Sequence, residues 1–486
     1  MIGCVGKQGW AKMTNLGRTA GQARPDSAQP KRLHFLTFLG TGDYHECTYY
    51  LADKITSEDT LDPRFQAASC YVQESLVRLL VGAGGEPGLL GHGTLADTHL
   101  SKVTVFLTKE AREQRWDAYT DPKPEAGSAP AGLHERLHTL QSAHGFQLTA
   151  RCIRTGQSEE DQWHLFNRIL KAIADEDDVV VFDVTHGFRL MPMVALLALD
   201  FVRKVRRITV PHIWYGNPHS PTAHGSPIID LSPMARILDW SSALQNLLAT
   251  GHAGALGELM TADDMPPVVA TYGTKLTEVA EAVNRASAFK FPHLAQELLK
   301  LEDHLPKNSD GQLAPVEQVL ELIGDRYRDL ATIVADGDIA TTGTAEQVRA
   351  YLQSQVAAAK MLLAHKQYMQ CFTILIEALT TLSHFYTAPS GLPRVSTPQT
   401  DGADRRRQGL RRYGLDPARA TTARHINDNL TTVRNALNHA YVSSEHQDFD
   451  GDTTLQEHGA GLIASFAELL REPLPPPRVY RKGDKR

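Results

Sequence analysis

The stretch DVVVFDVTHGFR, Asp178–Arg189, decides the fold. Its first half, Asp178–Thr185, is an unbroken apolar run of strand length, the pattern of a strand buried inside a sheet. Phe188–Val202 behind it reads as a helix. The same grammar recurs upstream. LHFLTFLG (Leu33–Gly40) is a buried strand ending in glycine, Arg64–Leu80 reads as a helix, and KVTVFLT (Lys102–Thr108) is another buried strand. Gln162–Ala174 carries apolar residues at helical spacing, and a strand from near Ile208 leads into IWYG (Ile213–Gly216). Strands alternating with helices over about 200 residues predict an α/β domain with a mostly parallel sheet. From about Met234 onwards only helical periodicity remains.

The expected organisation has five parts. Residues 1–31, rich in Gly, Ala and Gln, form a poorly ordered leader, within which Met13 offers a second start. The α/β domain spans 32–235, a helical linker 236–340 and a final all-α unit 341–471, with a Pro-rich, basic tail at 472–486.

Composition excludes several classes. Of 486 residues, 50 are Lys or Arg and 56 Asp or Glu, a net charge of −6. That argues against a surface built to hold duplex DNA by global electrostatics. The 5 cysteines include no C-x-x-C pair, so neither a disulfide framework nor a structural zinc site is expected, and a cytoplasmic setting fits. No window reaches the roughly 18 apolar residues of a membrane span. No H-E-x-x-H or G-x-S-x-G motif is present, and no metal site is expected.

Ligands of open parallel sheets sit beyond the carboxyl ends of the strands. Two loops fall there. Gly40-Thr41-Gly42-Asp43-Tyr44 follows a buried strand, and its glycines let backbone N–H groups approach an anion. Thr41 and Asp43 add polar contacts and Tyr44 a stacking face. The second loop, Asp183–Arg189, opens a helix, whose N-terminus attracts phosphate. Thr185, His186 and Arg189 supply polar and cationic groups. Taken singly, each loop also reads as a plain turn. Together, at two strand ends of one domain, they point to a phosphate-bearing ligand. The pattern is not G-x-G-x-x-G, so NAD is not indicated.

FLGTGDY, then Thr48-Tyr49-Tyr50, Phe106–Ala111, FDVTHGFR with Met191-Pro192, and Trp214–Gly216 resemble the DxTHG branch of the CRISPR-associated Rossmann-fold (CARF) proteins, over about Leu33–Leu231. The resemblance implies a dimeric sensor of cyclic oligoadenylate, made by type III CRISPR complexes. Cyclic tetra-adenylate is the favoured ring and the hexa-adenylate the alternative. By position, Gly40, Thr41, Gly42, Asp43, Tyr44, Thr108, Lys109, Asp183, Thr185, His186, Gly187, Phe188, Arg189 and Gly216 line the ligand groove.

In the helical half, one helix is expected over Val348–Tyr386, breaking near His365–Gln367, and another over Thr421–Tyr441. In the second, Ile426, Leu430, Val433, Leu437 and Ala440 form one core-facing stripe. At about 100° per residue, Arg434 lies roughly 80° from the stripe centre, Asn435 opposite it, and His439 one turn beyond Asn435. Asn435 and His439 are i, i+4 neighbours, so the amide can orient the imidazole. By itself such a cluster reads as a solvated face. However, Arg434-Asn435-Ala436-Leu437-Asn438-His439 resembles the R-x-x-x-x-H motif of HEPN (higher eukaryote and prokaryote nucleotide-binding) ribonucleases, and Tyr368–Leu379 resembles the first HEPN helices. Sensor followed by HEPN is the order of CARF–HEPN effectors.

That resemblance implies metal-independent cleavage of single-stranded RNA, activated by the ring. No catalytic cofactor is then needed. RNA brings its own nucleophile, the 2′-OH, while His439 moves protons and Arg434 binds phosphate oxygens. The cluster faces away from its own core, which implies a composite site in a homodimer or higher even oligomer. The stretch Arg405–Arg412 would guide RNA or form a plain surface loop, and Glu377 reads as a solvated glutamate. Two rival readings stay open: a sensor that degrades its own ring through Thr41, Thr108, Lys109 or His186, and a non-catalytic regulatory module.

Overall fold

The computed structural model describes residues 30–42, 44–55, 61–83, 86–90, 92–118, 131–173, 179–187, 190–206, 208–217, 221–307, 314–331, 343–387, 415–438 and 452–475. The chain divides into two compact units, Met1–Ala235 and Arg236–Arg486.

The first unit runs β1 (Lys31–Leu39), β2 (Cys47–Leu51), β3 (Gln66–Ser69), α1 (Val72–Val81), a small hairpin of β4 (Gly82–Ala83) and β5 (Glu86–Pro87), and β6 (Thr98–Leu107). It continues through α2 (Lys109–Ala111), which passes into a π-helical turn at Arg112–Trp116, then α3 (Leu133–His144), β7 (Gln147–Cys152), α4 (Glu159–Ala172), β8 (Val179–Asp183), α5 (Leu190–Arg206), β9 (Thr209–Gly216) and β10 (Ser226–Asp230). The main sheet has the order β3-β2-β10-β9-β8-β1-β6-β7. From β9 to β7 all neighbours are parallel, whereas β10 runs antiparallel to β9 and β3 antiparallel to β2. The expected mostly parallel sheet therefore carries a mixed edge.

Strand β8 is buried along its whole length because helices cover both sheet faces. On one face Leu33, Phe35 and Leu39 pack with α1 and α3. On the other, Leu36, Phe38 and Phe182 pack with α4 and α5. Winding proceeds from β1 through β6 to β7, then returns to the other side of β1 at β8. The carboxyl ends of β1 and β8 therefore flank the point where strand order reverses, the ligand crevice of open α/β sheets.

The helix expected over Arg64–Leu80 begins only at Val72. Gln66–Ser69 instead pairs antiparallel with Cys47–Tyr50. Ser69 Oγ accepts the Tyr71 N–H at 3.0 Å, and this turn resets the backbone before the helix starts.

The second unit is helical throughout its described residues: α6 (Ser232–Thr250, its first turn lying in the first unit), α7 (Gly254–Met260), α8 (Pro267–Asn284), α9 (Phe291–Lys300), α10 (Ala314–Arg328), α11 (Ala345–Ala364), α12 (Tyr368–Thr387), α13 (Pro417–Asn438) and α14 (Asp452–Leu469). One continuous apolar cluster runs from Trp240 to Leu474. Helix α11 packs on α12 and α14, and α13 packs on α12 and α14. The break expected near His365–Gln367 is present, with Lys366 at φ +58°. A reciprocal cap starts α11: Thr344 Oγ1 accepts the Gln347 N–H and Gln347 Oε1 accepts the Thr344 N–H. The leader to residue 29, the boundary at 340/341, the arginine-rich stretch and the tail from 476 lie outside the described residues. Among the described residues no helix is long and apolar enough to cross a membrane.

Candidate functional site

The loops after β1 and β8 lie side by side. A Cβ placed on Gly40 would sit 3.7 Å from His186 Cβ and 3.8 Å from the Gly187 nitrogen. Thr41 and Gly42 are exposed, with open space beside Gly42. Asp43, Phe188 and Arg189 lie outside the described residues.

Beneath the rim is a brace of polar groups. Asp183, the last residue of β8, is fully buried. Its Oδ2 accepts the Thr37 hydroxyl at 2.6 Å, and its Oδ1 accepts both the Thr185 N–H, at 2.9 Å, and the Thr185 hydroxyl. Burial pushes the Asp183 carboxyl up to about 6, against the pull of these three hydrogen bonds. The Thr185 oxygen also accepts the Gly216 N–H at 2.7 Å, joining β8 to β9. Only glycine fits at 216, since a Cβ would come within 2.9 Å of Val72 Cγ2 and 3.2 Å of Thr185 Oγ1. Gly187 holds φ +134°, a conformation closed to most side chains.

Tyr44 is not the exposed stacking face that its position suggested. It is buried, and its ring centroid lies 4.8 Å from both Tyr71 and His186. Its hydroxyl accepts the Gly40 N–H and donates to the Gly40 carbonyl, each at 3.2 Å. Burial drives the phenol well above its ordinary range, so it stays neutral. Thr108 likewise turns inward: its oxygen accepts the Ala111 N–H at 3.2 Å and caps α2. Lys109 is exposed, 4.0 Å from Glu113.

Several supports carry no local signal in the sequence. Arg115 is buried, donates from Nε to the Gly42 carbonyl at 2.9 Å, and lies 6.0 Å over the Tyr44 ring. Tyr71 donates to the Arg115 carbonyl at 3.1 Å. Gln73 donates to the Phe38 carbonyl at 2.6 Å, holding the end of β1 to α1. Among the described residues, these bonds brace a platform on which Thr41, Gly42, Gly187 and Lys109 are exposed. Exposed glycine backbone beside a lysine is chemistry that suits an anionic ligand.

In the second unit, α13 buries Ala423, Ile426, Leu430, Val433 and Ala436, with Leu437 packed partly against the core. Arg434 and Asn435 are exposed. His439 lies outside the described residues. Glu377 is exposed on α12, as a solvated glutamate would be. The helix also carries an i, i+4 pair that sequence reading passed over: Asn429 Nδ2 donates to the His425 carbonyl at 2.9 Å.

Residues 35–217 match the family model described as the CARF domain of the CRISPR system endoribonuclease Csx1. A CRISPR-associated protein, MJ1674 of Methanocaldococcus jannaschii, is 23% identical over 151 residues, which are 30% of this chain and 22% of the relative. The chain thus covers about a fifth of that relative's length. Over residues 35–217 the first unit is therefore similar to the CARF domain of a CRISPR endoribonuclease family.

Proposed function

We propose that this protein is a cytoplasmic endoribonuclease of type III CRISPR defence, switched on by cyclic oligoadenylate and working as a homodimer. One observation carries the reading. A braced anion platform at the strand-order reversal of a CARF domain precedes, in one chain, a helix that turns Arg434 and Asn435 of an R-x-x-x-x-H motif to solvent.

The chemistry follows from the residues. His439 takes the 2′-OH proton, the 2′-oxygen bonds to phosphorus, and the P–O5′ bond breaks as the 5′-oxygen regains a proton. Arg434 holds the phosphate oxygens as charge develops, and Asn435 orients the imidazole. The products are 2′,3′-cyclic phosphate and 5′-OH ends, and DNA is not a substrate.

An apolar stripe supports the dimer. On α5, Met193, Leu197, Phe201 and Val205 recur every four residues and are 64%, 62%, 49% and 62% exposed, beside Trp163 of α4 at 58%. None of these five side chains is charged, and Asp200 on the same helix is ion-paired with Arg203 and Lys204, so the stripe suits an apolar partner. Because α5 follows directly on the Gly187 loop, a two-fold axis across this stripe would draw two platforms together around one ring.

The test is a labelled single-stranded RNA incubated with cyclic tri-, tetra- and hexa-adenylate in turn, with ring binding measured alongside. Cleavage that requires one ring is the expected result. Binding without cleavage would sink the nuclease reading and leave the sensor; no binding would sink the sensor.

A further inference from the structure

Helix α6 is tied at both ends. At its start, Asp230 Oδ1 accepts the Ser232 N–H at 2.9 Å, while Oδ2 meets His212 Nδ1 at 2.6 Å. His212 belongs to β9, the strand that ends at Gly216 against Thr185. At its finish, α6 closes at Gly251 with φ +76°. The last carbonyls of a helix lack intrahelical donors and must find others. Gln367 Nε2 donates to the Thr250 carbonyl at 2.7 Å, and Asn284 Nδ2 to the Gly251 carbonyl at 3.0 Å. Gln367 sits at the corner between α11 and α12.

The same corner grips α14. Lys366 Nζ lies 2.5 Å from Asp452 Oδ2, and the Tyr368 hydroxyl bonds to the Asp452 carboxylate. Gln456 Nε2 donates to the Leu363 carbonyl at 2.8 Å. Helix α14 in turn packs on α13, which carries Arg434 and Asn435.

Three consecutive residues therefore hold the end of one helix and the start of another, in a conformation that is costly for a non-glycine residue at 366. Gln367 Oε1, moreover, is buried and accepts no hydrogen bond from the described residues, a cost to stability that packing alone does not require.

We infer that the corner Lys366-Gln367-Tyr368 is the coupling element through which α6 acts on the helices bearing the nuclease motif. This rests on the function proposed above and names positioning residues for it. Ring binding at the β1–β8 platform biases β9 and the start of α6, and the corner passes that bias from the end of α6 to α14.

The experiment uses the full-length protein and three substitutions, Gln367→Ala, Gln367→Glu and Lys366→Met. Amide exchange over residues 452–460 is measured with and without the activating ring, together with ring affinity, RNA cleavage and thermal unfolding. In the unaltered protein the ring should change exchange at the start of α14. Each substitution should cut that change and the ring-stimulated cleavage by about tenfold or more, with ring affinity held within about twofold. Basal cleavage should stay unchanged. Gln367→Glu keeps the size and removes the donor, so it decides the matter if the alanine variant folds poorly. Full stimulation in the variants overturns the inference, as does a ring that binds without altering exchange over 452–460. An exchange change that the substitutions abolish, in a protein that cuts no RNA, would keep the coupling corner and discard the nuclease. A ring that does not bind discards both.

Discussion

The Thr37 hydroxyl stands 2.6 Å from Asp183 Oδ2, joining two strand positions 146 residues apart in the chain. Thr37 and Asp183 are register partners of β1 and β8, the two strands between which the sheet reverses its order. The floor of the candidate site is therefore fixed by a side-chain bond as well as by the strand ladder. Thr37→Val removes a donor from a buried carboxylate and should lower unfolding stability by about 1–3 kcal/mol. Urea unfolding of both proteins measures it; an unchanged midpoint would remove Thr37 from the brace.

Asp183 also predicts a pH dependence. Its carboxyl rises from 3.8 to about 6 on folding, so the folded protein binds the proton more tightly than the unfolded chain. Its contribution to stability is fully present below about pH 4 and is lost as pH rises through about 6. Asp183→Asn should flatten that part of the stability profile. The comparison is variant against unaltered protein between pH 4 and 7, because other groups titrate equally in both.

His365 predicts the opposite slope in the second unit. Burial and the neighbouring Arg326 hold its imidazole down at about 4, from an ordinary 6.5. Its contribution is present above pH 6.5 and is lost as pH falls through about 4. Acidification from pH 6.5 should therefore loosen the helical unit, seen as faster amide exchange around residues 361–368, and His365→Gln should blunt the effect.

Gly251→Ala tests the close of α6. The residue sits at φ +76°, and a Cβ there would lie 2.7 Å from His365 Nδ1 and 2.9 Å from Asn284 Oδ1. Left-handed strain plus overpacking should cost about 2–4 kcal/mol and lower the thermal midpoint by several degrees. Gly254→Ala, where nothing lies within 4 Å, is the matched control.

Arg434→Ala and His439→Ala should each reduce ring-stimulated RNA cleavage by about 10²–10⁴-fold while sparing ring binding. Equal cleavage in either variant would remove that residue from the site. Intact ring after long incubation with the double variant would count against self-degradation by the sensor.

The α5 stripe gives a prediction about assembly. Leu197→Lys with Phe201→Glu places charges where two apolar faces would meet. On the dimer proposed above, light scattering should report a dimer for the unaltered protein and a monomer for the double variant, and ring affinity should fall with it.

Much of this was legible in the chain. Val179–Asp183 is apolar throughout because both sheet faces are covered, and so it announced a parallel sheet. Gly40–Gly42 and Thr185–Gly187 were visible as loops because only small and polar residues follow those strands. What stayed hidden depends on distant chain. Arg115 reaches Gly42 across 73 residues, and nothing in its own neighbourhood marks it as buried. Tyr44 looked like a platform because local sequence does not reveal whether Tyr71 and His186 will enclose a ring. Gln66–Ser69 was hidden for a simpler reason: four residues of edge strand are too short to display a period. On α13 the stripe predicted which side Arg434 and Asn435 take, since a helix with one apolar face leaves little choice for the rest.

Helix α6 belongs to two units at once. Ala235, with Leu231 just before the helix, packs on the first unit's core, while Trp240, Ala243 and Leu247 pack into the helical one. The boundary between Ala235 and Arg236 thus falls inside a helix with no loop to absorb a cut. A protease that nicks loops will not separate the units there, and a first unit transplanted by joining genes at residue 235 would carry a severed helix. Exchange at Gly251 keeps α6 whole, but the transplanted helix would then need new partners for Trp240, Ala243 and Leu247.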